Sequence, residues 1–144
     1  MAQEECIFCR IIAGKAEAYK VHEGERSIAI LDINPLAQGH CLVLPKRHVP
    51  FWHDLSEEEL ADLFKTAKAV AGKIMKAYQP DFVGIHARGR RVNHTHIFLV
   101  PAYKDGPLDR FFYALEGFQV APPVLAALRE KETMKETCES LKKA

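Results

Sequence analysis

Residues 92–100 read Val92-Asn93-His94-Thr95-His96-Ile97-Phe98-Leu99-Val100. Side chains alternate between the two faces of an extended strand. Val92, His94, His96, Phe98 and Val100 therefore share one face, and Asn93, Thr95, Ile97 and Leu99 share the other. Ile97 and Leu99 make the second face a core face, expected to pack against a long helix. The two histidines then lie on the opposite face, about 6–7 Å apart at Cβ, the spacing of i and i+2 in a strand. Two ordinary half-exposed histidines are the plain alternative. A His-x-His in a strong strand, in a chain that also carries Cys6-x-x-Cys9, points instead to a site, because clustered histidine and cysteine mark metal and catalytic chemistry.

The rest of the chain supplies a sheet for this strand. Residues 7–13 favour one or two helical turns, with Gly14 as a C-terminal cap. Residues 18–23, 27–33 and 40–44 read as short strands, separated by a turn at Gly24 and a break at Asn34-Pro35 and stopped by Pro45. Strands so close in sequence suggest an antiparallel meander. Ser56 with Glu59 forms a capping box. Leu60, Leu63, Phe64, Ala67, Ala71, Ile74, Met75 and Tyr78 then make one apolar stripe at helical spacing, and Pro80 lies just beyond. Residues 82–88 form a strand joined to residues 92–100 by a tight turn at Arg88-Gly89-Arg90. Residues 122–142 read as a charged last helix. The expected class is α+β: a five-stranded antiparallel meander sheet with one long helix, a short N-terminal helix and a C-terminal helix. Residues 1–144 read as a single domain, with the core at 5–103 and a C-terminal loop and helix at 104–144.

Composition narrows the function classes. The chain has 144 residues and is 48% hydrophobic, enough to bury a core without disulfide staples. A net charge of +1 argues for neither nucleic acid nor membrane as a general partner. No apolar run approaches the roughly 20 residues that span a bilayer. The acidic start, Met-Ala-Gln-Glu-Glu, lacks the basic and apolar regions of a secretory leader. A cytoplasmic location is expected, where thiols stay reduced. Cys41, inside an apolar run, reads as a small buried hydrophobe. Cys138 has no functional reading.

Two chemistries fit His94 and His96. They can chelate a metal, together with Cys6 and Cys9, or they can act on phosphate. Imidazole titrates near neutral pH and is a usable nucleophile there. Attack on phosphorus requires its other nitrogen to be held by an acceptor, with positive charge or N–H donors around the phosphate oxygens. Arg88, Arg90 and Arg91 adjoin the strand and can supply that charge, unless they form only a solvated hairpin tip.

His94-Thr95-His96-Ile97-Phe98-Leu99-Val100 resembles the signature of the histidine triad (HIT) family, His-φ-His-φ-His-φ-φ with φ apolar. Cys6-Ile7-Phe8-Cys9-Arg10-Ile11-Ile12 is similar to the opening of many members. Leu31-Asp32-Ile33-Asn34-Pro35, Gly39-His40 and Leu42-Val43-Leu44-Pro45-Lys46-Arg47-His48 are similar to their central block, in order and spacing. The resemblance runs from about residue 5 to 103. It implies that His96, at the middle position, attacks the α-phosphorus of a nucleotide conjugate to form a nucleotidyl-histidine that water cleaves. It implies Asp32 on the ribose hydroxyls, which a carboxylate readily accepts, with Phe8 and Ile33 near the base and His40 packed behind the triad. It also implies a homodimer built through the long helix and neighbouring sheet edges. Some members hold structural zinc through positions that correspond to Cys6, Cys9, His48 and His94, a closed Cys2His2 set. From the sequence, His96 or His40 can replace His48 as fourth ligand.

The departures matter as much. The third triad histidine is Phe98, which can neither donate to phosphate nor carry a proton. The turn before the strand is shorter than usual, a Gly-Gln pair appears as Gly89-Arg90, and an upstream asparagine as His86. The phosphate cradle is thereby rebuilt with more positive charge, with Arg90 as a phosphate contact. Loss of a general acid typically costs a factor of about 10²–10⁴ in rate. Arginine replaces charge but not acidity. Three functions are therefore carried forward. The first is a hydrolase or nucleotidyl transferase acting on phosphoramidates, acyl-adenylates or dinucleoside polyphosphates. The second is a purine-nucleotide-binding regulatory protein with little catalysis. The third is a zinc-stabilised module touching RNA, which ranks last because the basic cluster is small.

Overall fold

The computed structural model describes residues 5–144. The reading of the first residues as lacking a leader lies, for residues 1–4, outside that range. Helix α1 (Ile7–Ile12) leads into strands β1 (Lys20–Glu23), β2 (Ser27–Leu31) and β3 (Cys41–Pro45). A 3-10 turn at Trp52–Asp54 precedes helix α2 (Glu57–Tyr78). Strands β4 (Phe82–Ala87) and β5 (Ile97–Ala102) follow, then helices α3 (Pro107–Val120), α4 (Pro123–Ala127) and α5 (Lys131–Lys143). The α+β class and the five antiparallel strands are as expected. The order is β1-β2-β3-β5-β4, so the meander runs through three strands only. After α2 crosses over, the chain enters β4 at the edge and inserts β5 beside β3.

The sheet separates two apolar clusters. Ala29, Val43, Ile97 and Leu99 pack under Leu63, Ala67, Val70 and Ile74 of α2. Phe8 of α1 joins Ile28, Ile30, Leu42 and Leu44 on the other face, where Val92 and Phe98 also lie. The alternation thus holds for Val92 and Phe98 on one face and Ile97 and Leu99 on the other. Strand character across residues 92–100 does not: β5 begins only at Ile97, and residues 88–96 form a longer irregular crossing rather than a tight turn. The reason lies at the end of β3. The backbone N–H of Thr95 donates to the Val49 carbonyl at 2.6 Å, and His94 Nε2 donates to the Pro45 carbonyl at 2.8 Å. These bonds replace ladder pairing, which β3 shares with β5 only from Cys41 to Val43.

Other boundaries shift for local reasons. Strand β2 stops at Leu31 because Asp32 Oδ1 accepts the Asn34 N–H at 2.7 Å and closes a side-chain turn. On α2 the buried line runs through Glu59, Leu63, Thr66, Ala67, Val70 and Ile74, whereas Phe64, Met75 and Tyr78 of the expected stripe stay exposed. Helix α3 was not expected at all. Gly106-Pro107 starts it, with proline in its first turn, and Leu108 docks against Val100 and Ala102. The single helix expected at 122–142 is two, interrupted at residues 128–130.

The capping box forms as read: Ser56 Oγ accepts the Glu59 N–H, and the Glu59 carboxylate accepts the Ser56 N–H. That carboxylate also accepts two bonds from Arg47, at 2.6 and 2.7 Å, and so ties the segment before His48 to the start of α2. Hydrogen bonding from Arg47 holds the Glu59 carboxyl down at about 2. A lowered carboxyl stabilises the fold above the unfolded value near 4.3, and the contribution is lost as pH falls toward 2. Glu59→Gln is therefore expected to unfold at lower urea than the parent at pH 7, with a gap that narrows as pH drops from about 4.5 to 3. A gap independent of pH would remove this role for the pair.

Candidate functional site

Two groups of side chains meet on the α1 face of the sheet. In the first, one donor atom from each of Cys6, Cys9, His48 and His94 lies within 4.8 Å of all the others. Cys9 Sγ is 3.2 Å from His48 Nδ1 and 3.5 Å from His94 Nδ1, and Cys6 Sγ is 3.6 Å from His94 Nδ1. The Pro45 carbonyl can only accept, so His94 Nε2 carries the proton and Nδ1 presents its lone pair to both sulfurs. Burial pushes His94 down to about 4, keeping it neutral. Burial, and then the neighbouring Cys6, push the Cys9 thiol up to about 11. The neutral His94 imidazole, with His48 and two thiols around it, is ready to hold a cation, whose charge would draw off the thiol protons. His96 and His40 stand outside this group.

The second group lines an open cleft of about 1440 Å³. His96 is 7% exposed, and its Nδ1 donates to the His94 carbonyl at 2.7 Å. In the neutral tautomer that this bond selects, Nε2 carries the free lone pair. Phe8 sets its ring edge-on to both histidines, at 5.8 Å from His94 and 5.1 Å from His96. The cleft also takes in Asp32, Ile33, His40, Phe98, Arg88 and Arg91. Ile33 is 87% exposed, an apolar side chain with nothing over it. Asp32 spends one oxygen on the Asn34 turn, and the other lies 3.5 Å from His40 Nε2. His40 Nδ1 accepts the Leu36 N–H, so its proton sits on Nε2, which makes no well-aligned hydrogen bond. Burial holds His40 below its ordinary range, against the opposing pull of Asp32.

Of the residues expected at a nucleotide site, the structure brings Phe8, Asp32, Ile33, His40 and His96 onto one cleft. Arg90 lines a smaller neighbouring cleft instead, with Arg88 and His96 common to both. Phe98 packs between His40 and His96, at ring distances of 5.3 and 5.6 Å. His86 pairs with Phe98 across β4 and β5 but turns under Phe112 of α3 rather than into the cleft. Arg91 was noted only as part of the basic turn, and its place in the main cleft had no sequence signal beyond its charge. The backbone partners of His94 and His96 had none.

Residues 13–105 match the HIT domain family. The chain is 31% identical to the adenosine 5'-monophosphoramidase of Schizosaccharomyces pombe over 137 residues, covering 90% of this chain and 97% of that one. A crystal structure of a HIT family protein from Bacillus anthracis superposes with a TM-score of 0.77 at 25% identity, covering 97% of this chain and 96% of that one. A Zn-bound histidine triad family protein from Mycobacterium smegmatis superposes with a TM-score of 0.65 at 30% identity, covering 70% and 77%.

The donor geometry predicts a single tight metal site per chain, with about one ion bound. Cys9→Ala is expected to lose it and His96→Asn to keep it, as read by elemental analysis of the purified proteins. Equal metal content in Cys9→Ala and the parent would refute the site.

Proposed function

The chain belongs to the HIT domain family, and from that premise we propose a hydrolase or nucleotidyl transferase that acts at the α-phosphate of a nucleotide conjugate through His96. The observation that carries this reading is the orientation of His96. Its Nδ1–H is held by the His94 carbonyl, and the Nε2 lone pair belongs to a ring that lines the cleft. The Nε2 pair forms a bond to phosphorus as the bond to the leaving group breaks and its electron pair departs with that group. Water then bonds to phosphorus and releases a proton, and the pair of the P–N bond returns to Nε2. Asp32 accepts the ribose hydroxyls, Phe8 and Ile33 flank the base, and His40 backs Asp32. Arg88 and Arg91 face the phosphate from this cleft and Arg90 from the adjoining one, supplying charge where it develops. The activity named for the fission-yeast relative supports a phosphoramidate-like conjugate of a purine nucleotide as substrate.

Zinc is the proposed metal, held by Cys6, Cys9, His48 and His94. Two thiols and two imidazoles make a closed site, which is structural rather than catalytic. The Zn-bound relative supports the assignment. Its contribution is to hold α1 and His94 in place. Reduced thiols fit a cytoplasmic setting, and among the described residues no helix is long and apolar enough to cross a membrane. A homodimer is proposed across the exposed Phe64, Met75 and Tyr78 of α2 and the free β4 edge with Phe82 and Ile85.

Phe98 favours a second reading, nucleotide binding with slow turnover, because no acid stands beside His96 at that position. Turnover of adenosine phosphoramidate by the parent, His96→Asn and Phe98→His separates the two. His96→Asn is expected to lose about 10³-fold or more in kcat. Phe98→His is expected to gain about tenfold or more if acid catalysis limits the rate. Equal turnover by the parent and His96→Asn ends the catalytic reading, and a parent that is already fast ends the second.

A further inference from the structure

Cys6 and Cys9 sit one turn apart at the start of α1. The Cys6 carbonyl accepts the Arg10 N–H at 3.1 Å and the Cys9 carbonyl accepts the Ala13 N–H at 2.9 Å, so the turn between them is helical. Helical geometry places their Cα atoms about 5 Å apart, inside the span that a disulfide bridges. Their sulfurs already share one donor group, within 4.8 Å of each other and of the nitrogens of His48 and His94. The pair is unevenly covered. Cys6 is fully buried and Cys9 only in part, so Cys9 and the half-buried His48 form the open side of the group. The other two cysteines are elsewhere: Cys41 is buried in the cluster under α2, and Cys138 is exposed on α5. Between Cys6 and Cys9 in the chain stands Phe8. Its ring is buried, meets His94 and His96 edge-on, and lines the main cleft. The short segment that carries the two sulfurs therefore also carries a wall of the proposed nucleotide site.

We propose that Cys6 and Cys9 form a thiol–disulfide switch: hydrogen peroxide joins them, the Cys2His2 group gives up its metal, and the main cleft loses the support of Phe8. The proposal rests on the assignments of the metal group and of the nucleotide cleft. The chemistry starts at Cys9, the sulfur nearer to solvent. An electron pair of that sulfur attacks one peroxide oxygen, the O–O bond breaks, and the other oxygen leaves as water. The product is a sulfenic acid. The Cys6 sulfur then attacks the Cys9 sulfur, the S–O bond breaks, and a second water leaves. Two thiols have lost two electrons and two protons, and one peroxide has become two waters. Only a thiolate serves as a metal ligand, so neither sulfur of the disulfide can hold the ion. His48 and His94 alone do not complete a tetrahedral site. Helix α1 has six residues, too few to persist without tertiary support, and it loses one of its two ties to the sheet. The other, the apolar packing of Phe8, Ile11 and Ile12, is left to hold it. A dithiol reverses the step by exchange.

The test uses the full zinc-loaded chain carrying Cys138→Ser, which removes the exposed thiol and touches no site residue. Hydrogen peroxide is added, zinc release is followed with a chromogenic chelator, thiols are counted in denaturant, and the products are mapped by peptide mass. Two thiols and the bound zinc are expected to be lost together, with Cys6 linked to Cys9. Dithiothreitol with added zinc is expected to reverse both changes. By calorimetry, AMP is expected to bind the oxidised protein about fivefold or more weakly than the reduced one. An unchanged thiol count with zinc retained, at a peroxide concentration that oxidises free glutathione, overturns the switch and leaves the metal site intact. Zinc loss with a sulfinic acid in place of the disulfide overturns it too, because a dithiol does not reverse that product. Equal AMP affinity in the two forms overturns the link to the cleft. A chain that holds no zinc before treatment overturns the metal assignment and the switch together. AMP that binds neither form overturns the nucleotide reading together with the link to the cleft.

Discussion

The structure depends on what His94 does with three of its atoms. Its Nε2 donates to the Pro45 carbonyl, its Nδ1 faces Cys6 and Cys9, and its own carbonyl accepts from His96. Side chain and backbone of a single buried residue thus join the end of β3, the N-terminal helix and the residue proposed to attack phosphorus. Each bond excludes an alternative. With Nε2 committed to a carbonyl, only Nδ1 is left for a metal. With the carbonyl committed to His96 Nδ1, only Nε2 of that ring is left for other chemistry, and His96 stays outside the Cys2His2 group. A pair of neighbouring histidines, equivalent in sequence, becomes a brace and a candidate nucleophile by the direction in which each is hydrogen-bonded.

How much of this was legible follows from where the information lies. Side-chain alternation put Ile97 and Leu99 on one face and Phe98 on the other, and that was right because β5 is a regular strand there; His94 and His96 reach the α1 face through their hydrogen bonds rather than through a ladder. The Ser56–Glu59 box was right because capping is local. The departure of residues 88–96 from the ladder was not legible. It depends on side-chain and backbone bonds between segments 46 and 49 positions apart, at a strand ended by a proline that has no N–H to donate. The buried line on α2 was misplaced because Phe64, Met75 and Tyr78 are as apolar as the residues that pack. Periodicity identifies an apolar stripe, but not which part of it meets the sheet. Helix α3 had a local sign in Gly106-Pro107, and its docking through Leu108 had none.

Phe98 shows what a single aromatic does in a row of histidines. Its ring fills the space between His40 and His96 and continues the apolar cluster beneath α1. Packing is kept and polarity is given up. Nearby, His40 Nε2 and His86 Nε2 are buried without a hydrogen-bond partner. Unpaired buried nitrogens are held neutral by desolvation, and both imidazoles are shifted down from their ordinary range. The cleft thus lacks an acid at position 98, and His40, which lines it, resists protonation.

On the proposed function, that leaves positive charge as the means of handling phosphate, and the charge is unevenly placed. Arg91 belongs to the first cleft and Arg90 to the second, and Arg88 reaches both. Guanidinium stabilises an anion without giving up a proton, so it favours leaving groups that are stable as anions over those that must be protonated to depart. On the proposed reading, Phe98 withholds a proton beside His96 while Arg88, Arg90 and Arg91 offer charge that requires none.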